Sequence, residues 1–153
     1  MRILVSTFVT LLLSVPAFAV DQDEAMLYIG GGSKFVTTTD LVVLANKKDL
    51  LFEQKNSEFQ VVSCRLSVDP SRMERVIKTG TPLVVRETSV VSSNGQVYGV
   101  IHFESPRGIK QLTCMRTHKN GYNYADEQIP TVSDLAQVLS SHFSFEPGPA
   151  EEF

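Results

Sequence analysis

Glu87 and His102 are the residues of this chain whose types and placement come nearest to chemistry. An imidazole titrates near neutral pH, and a carboxylate beside it orients the ring and raises its basicity, which is the arrangement of a general base. The same pair on a solvated sheet face is an ordinary cross-strand polar contact. No nucleophile or third member stands at a spacing that completes a catalytic set, so the balance favours the polar contact.

A second concentration of functional groups runs from His118 to Glu127, directly after a strand-like segment. Within it Tyr122, Asn123, Tyr124 and Asp126 form the candidate binding set. Turn-rich loops displayed by a rigid scaffold often carry recognition, and tyrosines supply large amphipathic contact surfaces. The oxygens of this loop lack the regular spacing of a calcium loop, and an ordinary polar loop is the competing reading.

Gly30-Gly31-Gly32-Ser33-Lys34 superficially resembles a phosphate cradle, but it lacks the spacing of a P-loop and the helix that should follow. His102, His118 and His142 have no zinc-ligand spacing. The sequence therefore calls for no metal and no cofactor.

The elements that must position these groups are mostly strands. Val62, Cys64, Leu66 and Val68 alternate with Ser63 and Arg65, the period-2 signature of a half-buried strand across Phe59 to Val68. Asp69-Pro70 then suits the start of a short helix near residues 70–78, with Met73, Val76 and Ile77 on one face. Leu83 to Val91 and Gln96 to Glu104 flank Asn94-Gly95, a dipeptide that accepts the positive φ angles of a type I′ turn. That turn sets Ser93 opposite Gln96, Val91 opposite Tyr98 and Glu87 opposite His102. A following turn at Ser105 to Gly108 continues the ladder, with Ile101 beside Leu112 and Gly99 beside Cys114. One face then collects Val97, Ile101, Phe103, Leu112 and Cys114. The same register also puts Arg86 on that apolar face, opposite Phe103, which is the weak point of the scheme.

Cys64 and Cys114, the only two cysteines, thus both face one apolar layer. Their wide separation in sequence argues against a redox-active pair of the C-x-x-C kind and for a structural disulfide.

Toward the N-terminus, Met26–Ile29, Lys34–Thr39, Leu41–Ala45 and Leu50–Gln54 read as strands. A helix over residues 40–52 is the alternative, disfavoured by the β-branched residues from Val36 to Val43. Toward the other end, Thr131 and Asp134 have the spacing of a capping box, and Leu135, Val138, Leu139 and Phe143 recur at helical intervals. Residues 144–153 read as a flexible acidic tail.

The first nineteen residues have the order of a secretory signal: Arg2, an apolar run from Ile3 to Val15, and Ala17-Phe18-Ala19 before the cleavage point. The run is shorter than the roughly 20 residues a membrane span needs. Cleavage after Ala19 makes Val20 the first residue and implies a periplasmic or secreted product, the compartment in which disulfides persist. Of the 14 basic residues only Arg2 is lost with the leader, so the remainder keeps all 17 acidic residues and a net charge of −4. Such a chain has no electrostatic footprint for nucleic acid or an anionic membrane.

The expected architecture is one mainly β (α+β) domain over residues 20–143. It is an antiparallel sheet, partly open barrel or sandwich, stapled by the disulfide and covered by the C-terminal helix. The favoured function is a non-enzymatic binding, inhibitory or envelope-associated module with an extracytoplasmic protein or glycan as partner. The alternative is a small secreted hydrolase built on a His/carboxylate pair.

Overall fold

Asn94 and Gly95 organise the sheet, because both adopt positive φ, 52° and 74°, and so close a tight hairpin. A computed structural model describes residues 24–55, 60–69, 71, 75–104, 108–118 and 128–149. The hairpin joins β6 (Pro82–Ser93) to β7 (Gln96–Glu104). Its register pairs Ser93 with Gln96, Val91 with Tyr98 and Glu87 with His102, as the turn dictates. Between Val85 and Glu87 the register shifts, so that Val85 takes the place opposite Phe103. Arg86 is the extra residue of this β-bulge and points to solvent, which removes the conflict of a cation on the apolar face.

Around this hairpin the remaining strands complete an antiparallel, curled half-barrel sheet. They are β1 (Lys34–Thr37), β3 (Asp49–Lys55), β4 (Gln60–Val68), β8 (Ile109–His118) and β9 (Phe143–Glu146). The strand order is β3-β4-β8-β7-β6-β1-β9. Gly99 lies beside Cys114 and Ile101 beside Leu112. Cys64 and Cys114 are direct cross-strand partners with Cα atoms 4.1 Å apart, and they form the disulfide. That separation is close to the narrow, non-hydrogen-bonded spacing of an antiparallel ladder. Alternation then sends Val62, Leu66, Ile101, Phe103 and Leu112 to the same buried face as the sulfurs.

The helix α1 (Val132–Leu139) packs on that face and covers the core. Thr131 and Asp134 form the full capping box: the Thr131 side chain accepts from the Asp134 N–H at 3.2 Å, and Asp134 Oδ2 accepts from the Thr131 N–H at 2.9 Å. The helix ends earlier than its periodicity implies. Phe143 and Phe145 alternate with Ser144 and Glu146, and this period-2 run pairs with β1 as β9. Residues 143–146 are therefore sheet and belong neither to the helix nor to a tail.

Two further expectations are corrected. Met26–Tyr28 is a 3₁₀ turn where a strand was expected. Met26 is fully buried over Gly99, where an added Cβ would stand 2.5 Å from its sulfur, and its N–H donates to Pro130 O at 2.9 Å. The short helix expected near 70–78 is replaced in its described part by β5 (Val76–Ile77), which pairs with β2 (Leu41–Val42) as a separate two-stranded sheet. Within 40–52, the strand reading holds for β2 and the start of β3. The turn at Ser105–Arg107 lies outside the described residues, although Gly108 has the positive φ, 81°, that the turn asks of it.

Asp40 ties the small sheet to the turn before β6. Its carboxylate accepts the Thr79 N–H at 2.8 Å, the Thr79 hydroxyl at 2.9 Å and Lys78 Nζ at 3.0 Å. These donors, the Thr79 N–H foremost, lower its pKa from 3.8 to about 2. A carboxyl with a depressed folded-state pKa stabilises the fold above its unfolded value and loses that contribution as pH falls. The Asp40 tether is thus complete above pH 4 and released as pH drops toward 2. Carboxyl-detected NMR titration should give Asp40 a midpoint near 2, and a midpoint near 4 would refute the tether.

Candidate functional site

Strand pairing brings Glu87 and His102 side by side, and it adds a residue that sequence spacing did not single out. Ser89 Oγ lies 2.9 Å from His102 Nε2. A hydroxyl on an imidazole nitrogen is the first contact of a nucleophile–base pair, and it becomes a catalytic set when a carboxylate orients the other ring nitrogen. Glu87 does not do so. Its Oε1 accepts from Arg86 Nη2 at 2.8 Å, and both side chains of that pair are more than half exposed. The bulge that carries Arg86 out of the core delivers its guanidinium to Glu87. His102 Nδ1 has no hydrogen-bond partner among the described residues. Ser89, His102 and Glu87 therefore form two separate polar contacts on the outer face of the sheet.

The same outer face carries a larger feature, an open hollow of about 540 Å³. Ser63 and Arg65 on β4 border it, with Gln111, Thr113 and Met115 on β8 and Tyr98 and Val100 on β7. Alternation explains the set, since these are the residues one step out of phase with the buried Cys64, Leu112, Cys114 and Ile101. The last β7–β8 pair is Gly99 with Cys114, so Gln96–Tyr98 run on without β8 as a neighbour. Beyond that pair, the Val97 N–H donates to the Gln128 side chain at 2.6 Å.

Polar groups in the hollow are held in defined positions. Tyr98 OH donates to Gln96 Oε1 at 2.6 Å, and Gln111 Nε2 donates to Thr113 Oγ1 at 3.2 Å. Arg65 binds Asp49 through Nε at 3.3 Å, which leaves its two terminal nitrogens without a partner among the described residues. Among the described residues, one guanidinium and no carboxylate line the hollow. Together with the hydroxyls, amides and the half-buried Tyr98 ring, this lining suits a hydroxyl- or amide-rich ligand that is neutral or carries one negative charge. Its volume is within the range of ligand pockets, roughly 300–1,000 Å³.

Tyr122, Asn123, Tyr124 and Asp126 lie outside the described residues, as do the leader and its cleavage site. His142 stands apart from the other histidines, with its ring against Phe52 at 5.2 Å and Nδ1 3.3 Å from Thr39 Oγ1. Among the described residues no three His, Cys, Asp or Glu side chains converge as metal ligands. Nor is any helix among them long and apolar enough to cross a membrane. No protein-family model matches this chain, and neither does any curated protein or solved structure.

Proposed function

We propose that this chain is an exported, non-enzymatic binding module that takes a glycan, as a hydroxyl-rich ligand, in the hollow on the outer face of its sheet. The lining of that hollow carries the reading: among the described residues it is one cation and no carboxylate, with an aromatic ring flanked by amides and hydroxyls. Saccharide hydroxyls both donate and accept, which matches Gln96, Gln111, Ser63 and Thr113, and the Tyr98 ring offers an apolar platform. Export rests on the leader and on the disulfide, which suits an oxidising compartment. N-terminal sequencing of the native product should read Val20 first.

The hydrolase reading keeps one point in its favour, the Ser89–His102 contact. One set of measurements separates the two. On a glycan array the mature protein should retain particular saccharides, and Tyr98→Ala and Gln111→Ala should each weaken retention about five- to tenfold, the worth of one lost platform or hydrogen bond. Retention unaffected by both substitutions would overturn the binding site. A covalent adduct of Ser89 with a fluorophosphonate probe would overturn the non-enzymatic assignment.

A further inference from the structure

A second cavity lies on the opposite side of the sheet, between α1 and β9, and has a volume of about 130 Å³. Leu135, Ala136 and Leu139 form its helical wall, and Phe35, Phe143 and Phe145 its sheet wall. The three rings are fixed against each other in edge-on contacts, with Phe35 to Phe145 at 5.2 Å and Phe35 to Phe143 at 6.4 Å. On the helix, Ala136 is the smallest residue facing this space. A longer side chain at that position would fill it.

The cavity is apolar throughout its depth and partly open, with exposed Ser140 and Ser144 among its lining residues. Among the described residues, no charged side chain borders it. Water is poorly held in such a space, because an ordered molecule needs two to four polar partners, and the walls then lack contacts across the gap. A closely comparable volume, about 150 Å³ with aliphatic and aromatic walls, is enough for benzene.

We propose that this cavity is a binding site for a small molecule with one benzene-sized apolar end, seated between Ala136 and the Phe35–Phe145 pair, and an uncharged polar end reaching Ser140 or Ser144. The site is independent of the outer-face hollow, and either can fail without the other.

Benzyl alcohol is the probe, followed by methyl-resolved NMR of the mature protein. Saturable shifts should appear at the Val132, Leu135 and Leu139 methyls, while Val91 and Met115 on the outer face stay still. Ala136→Leu should abolish the shifts by filling the space, with Ala136→Met as the second filling variant should the first not fold. Ser140→Ala combined with Ser144→Ala should weaken benzyl alcohol about fivefold and leave toluene unchanged. Absence of saturation at these methyls, shifts confined to the outer face, or binding undiminished in a folded Ala136 variant would each overturn the site.

Discussion

Replacing both Cys64 and Cys114 with Ala should cost about 4 kcal/mol of stability, the chain-entropy value for a loop of this size. For a domain whose total stability is of order 5–15 kcal/mol, that is a large fraction. The reason lies in where the bridge sits. β4 and β8 are adjacent in the sheet, yet 50 residues separate the two cysteines, and β5, β6 and β7 all lie between them. Without the cross-link the unfolded chain must close that loop before the ladder rewards it. Urea unfolding of the double variant should show a lower midpoint and a somewhat steeper slope, since the unlinked unfolded chain exposes more surface, and thermal unfolding a midpoint lower by about 10 °C or more. Both cysteines are fully buried, so Ser in place of Ala should cost more, because it leaves hydroxyls without water. A loss below about 1 kcal/mol would mean that the strand pairing already holds the two halves together unaided.

Much of this architecture is legible in the sequence because its signals are local. Asn94-Gly95 specifies its own turn, and the turn fixes which residues of β6 and β7 face each other. From that register follow the positions of Ile101, Leu112 and the two cysteines. The one contradiction it produced, Arg86 on the apolar face, was itself informative: a cation at a core position needs either a partner or a bulge, and the bulge is present. Other features depend on distant partners and leave no such mark. Phe143 fits both the helical period and the strand alternation, and only β1 decides in favour of the strand. Val76 and Ile77 suit a helix face equally well until Leu41 and Val42 arrive beside them. The outer-face hollow is hidden for a different reason. Ser63, Thr113 and Gln111 are what any solvated strand face carries, and the hollow reflects the parting of β7 from β8 beyond Gly99, which no single residue announces.

Asp134→Ala should be strongly destabilising, at about 3 kcal/mol, because one carboxylate serves two ends. Its Oδ2 accepts the Thr131 N–H at the start of the helix and also Arg116 Nη1 on β8, at 3.2 Å. Both side chains of the ion pair are mostly buried, 11% exposed for Asp134 and 19% for Arg116. Breaking a buried pair costs more than making it gains, since the remaining charge stays in a poor solvent. Three variants separate the contributions. Thr131→Ala removes only its half of the capping box and should cost about 1 kcal/mol. Asp134→Asn keeps an acceptor for the Thr131 N–H but surrenders the charge, so its loss should be intermediate. Arg116→Ala with Asp134→Ala should cost less than the two single changes added together, the mark of residues that act as a pair. Additive losses would show that Asp134 acts on the helix alone. The pair holds α1 to β8, and α1 walls the apolar cavity, so the same cycle measured with benzyl alcohol present should show weaker binding in Asp134→Ala while Thr131→Ala stays close to the parent.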